Sequence, residues 1–494
     1  MDRAELGQHT ASISGRPFNG QHLPYTNKLP VAWQRLSSTP CVCKQKQKTR
    51  VNATKLHRQD TIKIKEKRKQ KEQAEAASES REDSAIREAE RNGDGPLVLP
   101  DFTPLSNGNS PRNWPRKADL YLVRTDGMSC SRETVRASGC LSFAHPSTQQ
   151  QLLVWRGHPK CVMVLKKLGD EQREAFLKVL RFLGQEEDMH VIVEPHEYLK
   201  LSGEVDMDFV DTYNHAEGDQ LHQHVDFVVC LGGDGTILHA SSLFQHAIPP
   251  VISFSAGSLG FLTNHSLENV EADLRGVIYG SEDLDQCSLE EEMRGVHITL
   301  RMRLECKILR GTEQKDSATR EELYEVMNEV VVDRGANPYL AKIECWERDT
   351  LITKVQADGV MLATPTGSTA YSVAAGGSMV HPNVPAILFT PICPHSLSFR
   401  PVVLPDYAEL ELRIPKDARC PAWVCFDGKQ RQELQRGDAE LQRGDAVRIR
   451  MSTNPVPTIS KTDQTRDWFG SLERCFGWND RAEQKPLGYI DRGT

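Results

Sequence analysis

Residues 230–245 read CLGGDGTILHASSLFQ: an apolar run, three glycines around one aspartate, then an amphipathic run. Ile237, Leu238, Ser241, Phe244 and Ala247 recur at helical spacing, and Leu231 ends the apolar run before them. Gly232 to Thr236 is therefore expected as a strand-to-helix turn. The free N–H groups and positive dipole end of a starting helix suit phosphate. Gly232, Gly233 and Gly235 would let phosphate oxygens approach the backbone, with Thr236 beside them. Asp234 needs its own reason, because a carboxylate repels phosphate unless it has a chemical task or a metal beside it. Two readings stand on these residues alone. Asp234 does acid–base chemistry on a phosphoryl acceptor, or GGDG is a tight turn and Asp234 caps the helix.

The established phosphate loops do not fit. There is no G-x-x-x-x-G-K-[ST], no G-x-G-x-x-G after the strand, and no H-R-D with D-F-G. A second stretch, ADGVMLATPTGSTAYSVAAGGSMVHP (357–382), sets six Ser/Thr and four Gly around Tyr371 and Asp358. Hydroxyls and bare amides at that density make a polar wall, and Tyr371 offers an aromatic face to a base or nicotinamide. Val360, Met361 and Leu362 run into it as a strand runs into a site; a plain Gly/Ser loop is the other reading. A third stretch is NEVVVD (328–333). Asn328 can pair bidentately with an adenine edge, and Glu329 can accept from two neighbouring ribose hydroxyls. Either residue could equally begin a polar strand end.

The elements around these motifs fall into two textures. CVMVLKK (161–167), MHVIVEP (189–195), VDFVVCL (225–231) and PPVISFS (249–255) read as buried strands. EAFLKVLRFLGQ (174–185) reads as a helix stopped at Gly184. That alternation predicts a Rossmann-like parallel α/β sheet. Beyond residue 285, alternating runs such as GVHITLRMRLECKILR (295–310) and AELELRIP (408–415) predict an antiparallel sandwich or barrel. The expected organisation is a charged, uncored extension over 1–95 and a linker or arm over 96–157. An α/β domain over 158–285, a β-rich domain over 286–455 and a C-terminal segment over 456–494 follow. ELQRGDA occurs in tandem at 433–439 and 440–446 and is expected to lengthen a hairpin.

The bulk numbers limit the function. A chain of 494 residues with net charge −7 is no general nucleic-acid binder, and no apolar run is long enough to span a membrane. Thirteen scattered cysteines lack a paired C-x-x-C framework, which predicts free thiols; Cys130 and Cys140 are a candidate redox pair. Residues 44–71 hold 12 Lys/Arg against two acids, and 72–94 hold eight acids against three Arg, so neither block can build a core. The first 40 residues carry only Asp2 and Glu5 as acids, a trait of organelle transit peptides, though the Met-Asp start is not.

Together, GGDGT, NEVVVDRG, ADGVMLATPTGSTAYS and HPNVPAILFTPICPHSLSFRP resemble the NAD kinase family in order and spacing, from about His158 to about Trp478. LVRTDGMSCSRETV, HPSTQQQLLVW and KTDQTRDWF look like its plant and algal plastid type. The resemblance implies an α/β domain joined to a C-terminal β-sandwich domain, assembled as a homo-oligomer, in the plastid, with the cytosol as the other compartment. It implies Mg²⁺-dependent transfer of the ATP γ-phosphoryl to the adenosine ribose 2′-hydroxyl of NAD⁺, with the metal arriving on ATP. Asp234 would deprotonate or orient that hydroxyl, and Gly232, Gly233, Gly235 and Thr236 would cradle ATP phosphates. Asn328 and Glu329 would hold the adenosine, Asp358 would meet the nicotinamide end, and Thr369, Ala370 and Tyr371 would line the dinucleotide pocket.

Three departures stand out. Ala357 replaces a common Gly, and Ala374 replaces a Ser that would give one pocket hydrogen bond. The extra ELQRGDA follows FDGK (426–429), whose Asp427 the family places near the dinucleotide. A non-catalytic NAD(H)-binding regulator and a lipid kinase of the same superfamily are the competing readings. The first would show an altered Asp234, and the second would lack NEVVVD with TGSTAYS. Plant-type relatives can engage calmodulin, but KLHRQDTIKIKEKRKQK (55–71) offers only Leu56, Ile62 and Ile64 as anchors.

Overall fold

A computed structural model describes residues 114–480, apart from 126–129, 137–140, 142–149, 202–203, 205–206, 219, 256, 258, 281–294, 312–321 and 438–443. All described residues lie in the compact unit from Pro104 to Thr494. The charged extension, the calmodulin candidate and Cys140 lie outside the described residues.

The greasy runs pair as expected. Five parallel strands stand in the order Val210–Thr212, His190–Val193, Cys161–Lys166, Phe227–Leu231, Val251–Ser255. Cys161–Lys166 is buried throughout, as a strand covered on both faces must be. In chain order this arrangement is 3-2-1-4-5. The order reverses between Cys161–Lys166 and Phe227–Leu231, where ligands of open α/β sheets bind at the carboxyl ends. The GGDG turn leaves the sheet at that point.

Helix Arg173–Arg181 buries Phe176, Val179 and Leu180, then passes into a π turn over Phe182–Glu186. Gly184 lies inside that turn and is not its stop. A Cβ there would sit 2.0 Å from the Phe209 ring, so close packing requires the glycine.

The mixed sheet is wider than its parallel part. Val456–Ile459 continues it beside Val251–Ser255, followed by Val296–Arg301, Gln150–Arg156, Asp119–Thr125 and Cys130–Val135. Three strands thus come from the segment read as a linker or arm. Val296–Arg301, expected in the β-rich half, belongs to this sheet instead. Buried Asp226 ties the arm down by accepting from the N–H groups of Ala118 (2.7 Å), Lys160 (2.7 Å) and Cys161 (2.9 Å).

The second half is a sandwich of two six-stranded antiparallel sheets. One runs Leu323–Val326, Leu304–Leu309, Ala446–Met451, Leu410–Arg413, Ala341–Glu347, Thr350–Ala357. The other runs Val402–Pro405, Ala386–Ile392, Gly359–Ala363, Glu329–Asp333, Ala422–Phe426, Lys429–Leu434. Both sheets feed one core, in which Leu304, Ile343 and Val447 meet Val330, Leu362 and Val424.

The tandem ELQRGDA does not lengthen a hairpin. Lys429–Leu434 and Ala446–Met451 belong to different sheets, so the repeat spans a crossover. Gln435 O accepts from Asp445 N at 2.9 Å, and Asp445 Oδ2 accepts from Gln435 N at 3.1 Å. A Cβ on Gly444 would lie 2.6 Å from Gly437 N, so the ends of the insertion touch. Upstream, the pairing of Ala422 with Leu434 through Phe426 with Lys429 keeps Asp427 in its turn.

Deleting Asp438–Gly444 would join Gly437 to Asp445 and leave Gln-Arg-Gly-Asp. Its first C=O and last N–H already form the bond of a β-turn, with Gly at the third position. The melting temperature of the deletion variant should stay within about 3 °C of the parent, the shift of roughly 1 kcal/mol in a domain this large. A larger fall in a thermal melt would show that the second copy supports the sandwich.

Candidate active site

The helix after the glycine turn begins earlier than the apolar spacing indicates. It spans Asp234–Leu243, with Gly233 as an extended N-cap that makes no side-chain cap bond. Asp234 is thus the first helical residue and does not cap the helix. Its carboxylate turns instead to a neighbouring loop. Oδ2 accepts from Phe261 N and Oδ1 from Leu262 N, both at 2.9 Å, with Thr263 Oγ1 at 3.5 Å. Gly260 makes this approach possible, since a Cβ there would lie 2.3 Å from Asp234 Oδ1.

The turn glycines divide by what surrounds them. A Cβ at Gly232 would lie 2.2 Å from Thr236 Oγ1, so Gly232 is set by packing over that hydroxyl. Thr236 is buried beneath the turn. At Gly233 and Gly235 a Cβ would meet nothing within 4 Å, leaving room for a ligand to approach the backbone.

The sandwich motifs converge on one another. Strand Glu329–Asp333 pairs with Gly359–Ala363 so that Glu329 faces Ala363, which sets Asn328 beside the start of TPTGST. Thr364 N donates to Asn328 O at 2.9 Å, and Thr364 Oγ1 to Met327 O at 2.6 Å. A Cβ on Gly367 would lie 2.1 Å from Asn328 O. From the other side, Asp427 accepts from Met327 N (2.8 Å), Asn328 N (2.7 Å) and Glu329 N (3.1 Å). Asp427 and Gly428 hold positive φ angles of 46° and 74° in that turn.

Glu329 is 8% exposed, and its Oε2 is buried without a hydrogen-bond partner among the described residues. Burial, aided by the Asp427 charge, pushes its carboxyl up to about 7. Tyr371 is exposed; partial burial and then the charges of Asp333, Cys393, Asp358 and Glu329 hold its hydroxyl above the usual range. Asp358 is already engaged, accepting from Arg334 Nε at 2.8 Å. Thr369 and Ala370 are half-buried beside Tyr371, and Ala374 is exposed at the end of the helical turn Tyr371–Ala374. The side chain of Asp427 faces backbone N–H groups, so it shapes the Asn328–Glu329 corner.

Two buried arginines join the halves. Arg301 donates from Nε to Thr458 Oγ1 at 3.0 Å and from Nη1 to Thr366 Oγ1 at 3.4 Å. Burial lowers its pKa to about 10, opposed by the charges of Asp234 and Asp467. Arg303 donates to the carbonyls of Phe244 (2.8 Å), Asn454 (2.7 Å), Ser241 (3.4 Å) and His246, which ties off the end of the Asp234 helix. Its Nε lies 3.5 Å from Glu325 Oε2, whose carboxyl burial raises to about 7 against the pull of Arg303.

Thus Asn328, Glu329, Asp427 and the TPTGST turn form one contiguous patch, and Arg301 links that patch to the surroundings of Asp234. Arg301, Arg303, Gly260, Phe261 and Leu262 lie outside the motifs legible in the sequence, and Arg334 stands within NEVVVDRG with nothing there to mark its role. The usable signal for the arginines was LRMRL, in which two charges alternate inside an apolar strand run. No local pattern marks the loop amides, because any residue supplies a backbone N–H.

Comparison with known proteins agrees with this arrangement. Residues 162–282 match the ATP-NAD kinase N-terminal domain and 327–461 the ATP-NAD kinase C-terminal domain. NAD kinase 2, chloroplastic, of Arabidopsis thaliana is 58% identical over 372 residues, covering 75% of this chain and 36% of that protein. The probable NAD kinase 2, chloroplastic, of rice matches with the same identity and coverage. The chain therefore spans about a third of the length of these plant relatives. The crystal structure of yeast NADH kinase complexed with NADH shares 30% identity at a TM-score of 0.57, covering 70% of this chain and 96% of that one. With both domains matched, and nearly all of that kinase covered, the chain belongs to the NAD kinase family.

Proposed function

We propose that this chain transfers the γ-phosphoryl group of ATP to the 2′-hydroxyl of the adenosine ribose of NAD⁺, giving NADP⁺ and ADP. The observation that carries the reading is the seat of Asp234. A carboxylate stands at the sheet's switch point, fixed by two backbone N–H groups, beside Gly233 and Gly235 with open space above them. Each carboxylate oxygen has two lone pairs. Phe261 engages one on Oδ2, while Leu262 and Thr263 occupy both on Oδ1, so a lone pair on Oδ2 remains for a substrate hydroxyl.

A ribose hydroxyl is a weak nucleophile at neutral pH. A positioned base raises its reactivity by roughly 10²–10⁴-fold. The hydroxyl oxygen forms its bond to the γ-phosphorus as the bond to the β–γ bridging oxygen breaks. The proton passes to Asp234 and the electron pair leaves with ADP. The remaining work is alignment and charge neutralisation. Gly232, Gly233 and Gly235 present backbone to the phosphates, while Thr236 holds the turn's shape from below. Mg²⁺ enters as part of the ATP substrate and neutralises phosphate charge.

Asn328 and Glu329 recognise the adenosine, the unpartnered Oε2 of Glu329 accepting from the ribose hydroxyl that Asp234 does not use. Asp427 holds that corner in place. Thr369, Ala370, Tyr371 and Ala374 line the dinucleotide, and Asp358, held by Arg334, lies toward its nicotinamide end. The carboxylate field around Tyr371 suits a cationic ring. A homo-oligomer is the assembly we propose. Edge strand Val402–Pro405 exposes Val402 (48%) and Val403 (53%), and Leu397 (87%) and Tyr407 (71%) flank it in sequence. A plastid location is proposed from the 58% identity to chloroplastic relatives.

Asp234→Asn should lower kcat for NADP⁺ formation by about 10²-fold or more, with KM for NAD⁺ changed only a few-fold. Coupled-enzyme kinetics check this, and activity within tenfold of the parent would remove Asp234 as the base. The amide also meets two N–H donors with only one acceptor oxygen, so NAD⁺ binding by calorimetry should accompany the assay.

Glu329 generates a pH prediction. Its carboxyl gains a proton as pH falls through about 7 and then loses an acceptor site for the ribose. NAD⁺ affinity should hold above that pH and fall by up to about tenfold per unit below it. Glu329→Gln should bind more weakly at pH 8 and show a flatter profile. Equal slopes for the two proteins would contradict the assignment.

A further inference from the structure

Helix Gln464–Phe476 carries no motif of the proposed chemistry, yet it grips both halves of the site. Its ends are well made. Asp463 accepts from Thr465 N and Arg466 N at 2.9 Å, and Gly477 closes it in the left-handed conformation at φ 57°. Asp467 secures its entry by accepting from Lys461 N at 2.7 Å and Thr462 N at 3.2 Å.

One side of the helix holds the loop that seats the acid. Asn264 Oδ1 accepts from Ser471 Oγ at 3.2 Å and Arg474 Nη2 at 3.3 Å, and Asn264 Nδ2 donates to Asp467 Oδ2 at 3.4 Å. The Phe476 ring stands 6.0 Å from Phe261, and Cys475 Sγ donates to Leu259 O at 3.9 Å. Phe261 and Leu262 are the residues whose N–H groups fix Asp234.

Its first turns hold the dinucleotide segment. Asn383 Nδ2 donates to Gln464 Oε1, Gln464 Nε2 donates to Ile298 O at 2.7 Å, and Trp468 stands edge-on to His381 at 5.1 Å. That segment is pinned in turn to the TPTGST turn, because Val380 N donates to Ser368 Oγ at 2.9 Å and Ser368 Oγ to Val380 O at 3.2 Å.

We propose that this helix is a strut that sets the Asp234 loop and the TPTGST turn in register, with Asn264 and Gln464 as its positioning residues. A helix of 13 residues is stiff, so a shift at one grip is transmitted to the other. The kinetic part of the inference rests on the kinase reading; the structural part does not.

The test uses the full chain with Asn264→Ala, Gln464→Ala and the double variant. Amide hydrogen exchange is the readout that needs no activity. Asn264→Ala should speed exchange over 259–263 by about tenfold or more, since the seat of Asp234 loosens. The core strands Cys161–Lys166 and Glu329–Asp333 should be unchanged. In steady-state kinetics Asn264→Ala should lower kcat by roughly tenfold with KM for NAD⁺ within twofold, less than the hundredfold that a misplacement of about 1 Å costs. Gln464→Ala should raise KM for NAD⁺ several-fold, and the double variant should lose less in kcat/KM than the product of the two single losses, because one strut serves both.

Unchanged exchange over 259–263 in a folded Asn264→Ala variant would overturn the strut. So would exchange that rises equally in the core strands, which marks plain loss of stability. If Asn264→Ala unfolds the chain, Ser471→Ala removes one donor of the same grip and is read in the same way. A parent chain that forms no NADP⁺ would defeat the kinase reading while the exchange result still decides the strut.

Discussion

The site depends on carboxylates that collect backbone N–H groups from distant parts of the chain. A carboxylate leaving water must be given donors, and backbone N–H groups in turns need acceptors. Asp226 fixes the arm through Ala118 and Lys160, and Asp427 gathers Met327, Asn328 and Glu329. Asp445 closes the crossover at Gln435 and Gly311. Asp234 differs in one respect: it uses the same bonding at the edge of a turn whose Gly233 and Gly235 face open space. The interaction that elsewhere only builds the fold there also fixes the carboxylate that we propose as the base.

Between these knots the two halves are joined by buried arginines whose partners are mostly neutral. Arg303 spends its donors on carbonyls at the end of the Asp234 helix and lies beside Glu325. Arg301 meets two threonine hydroxyls and no carboxylate within ion-pair distance among the described residues. Burying such a cation is costly, and removing a partner from it is costlier still. That cost fixes the crossing from sheet to sandwich, and hence where the Asp234 helix stands relative to TPTGST.

Much of this was legible in the sequence. Four of the five parallel strands announced themselves as apolar runs, whereas Val210–Thr212 is too short and polar to do so, the sandwich showed as alternation, and GGDG as a strand-to-helix turn. The rest consists of relations that only tertiary pairing creates. Val296–Arg301 has the alternation of a sandwich strand but enters the mixed sheet, because its partners Val456–Ile459 and Gln150–Arg156 lie far away in the chain. Gly184 looked like a helix stop, and only the Phe209 ring explains it. Asp234 looked able to cap its own helix, and the loop that claims its oxygens lies 27 residues downstream. The tandem repeat looked like a hairpin because the sequence does not say that its flanking strands join different sheets.

The central claim is that Asp234 acts on the ribose 2′-hydroxyl, and a thermodynamic cycle tests it most directly. Binding of NAD⁺ and of its adenosine 2′-deoxy analogue would be measured calorimetrically with the parent chain and with Asp234→Ala, each with a non-hydrolysable ATP analogue and Mg²⁺ present. The account predicts a coupling between the carboxylate and the hydroxyl of about 1.5–3 kcal/mol, the range of a hydrogen bond to a charged group. A coupling indistinguishable from zero, with both ligands still bound, would contradict it and leave the glycine turn without its chemical purpose.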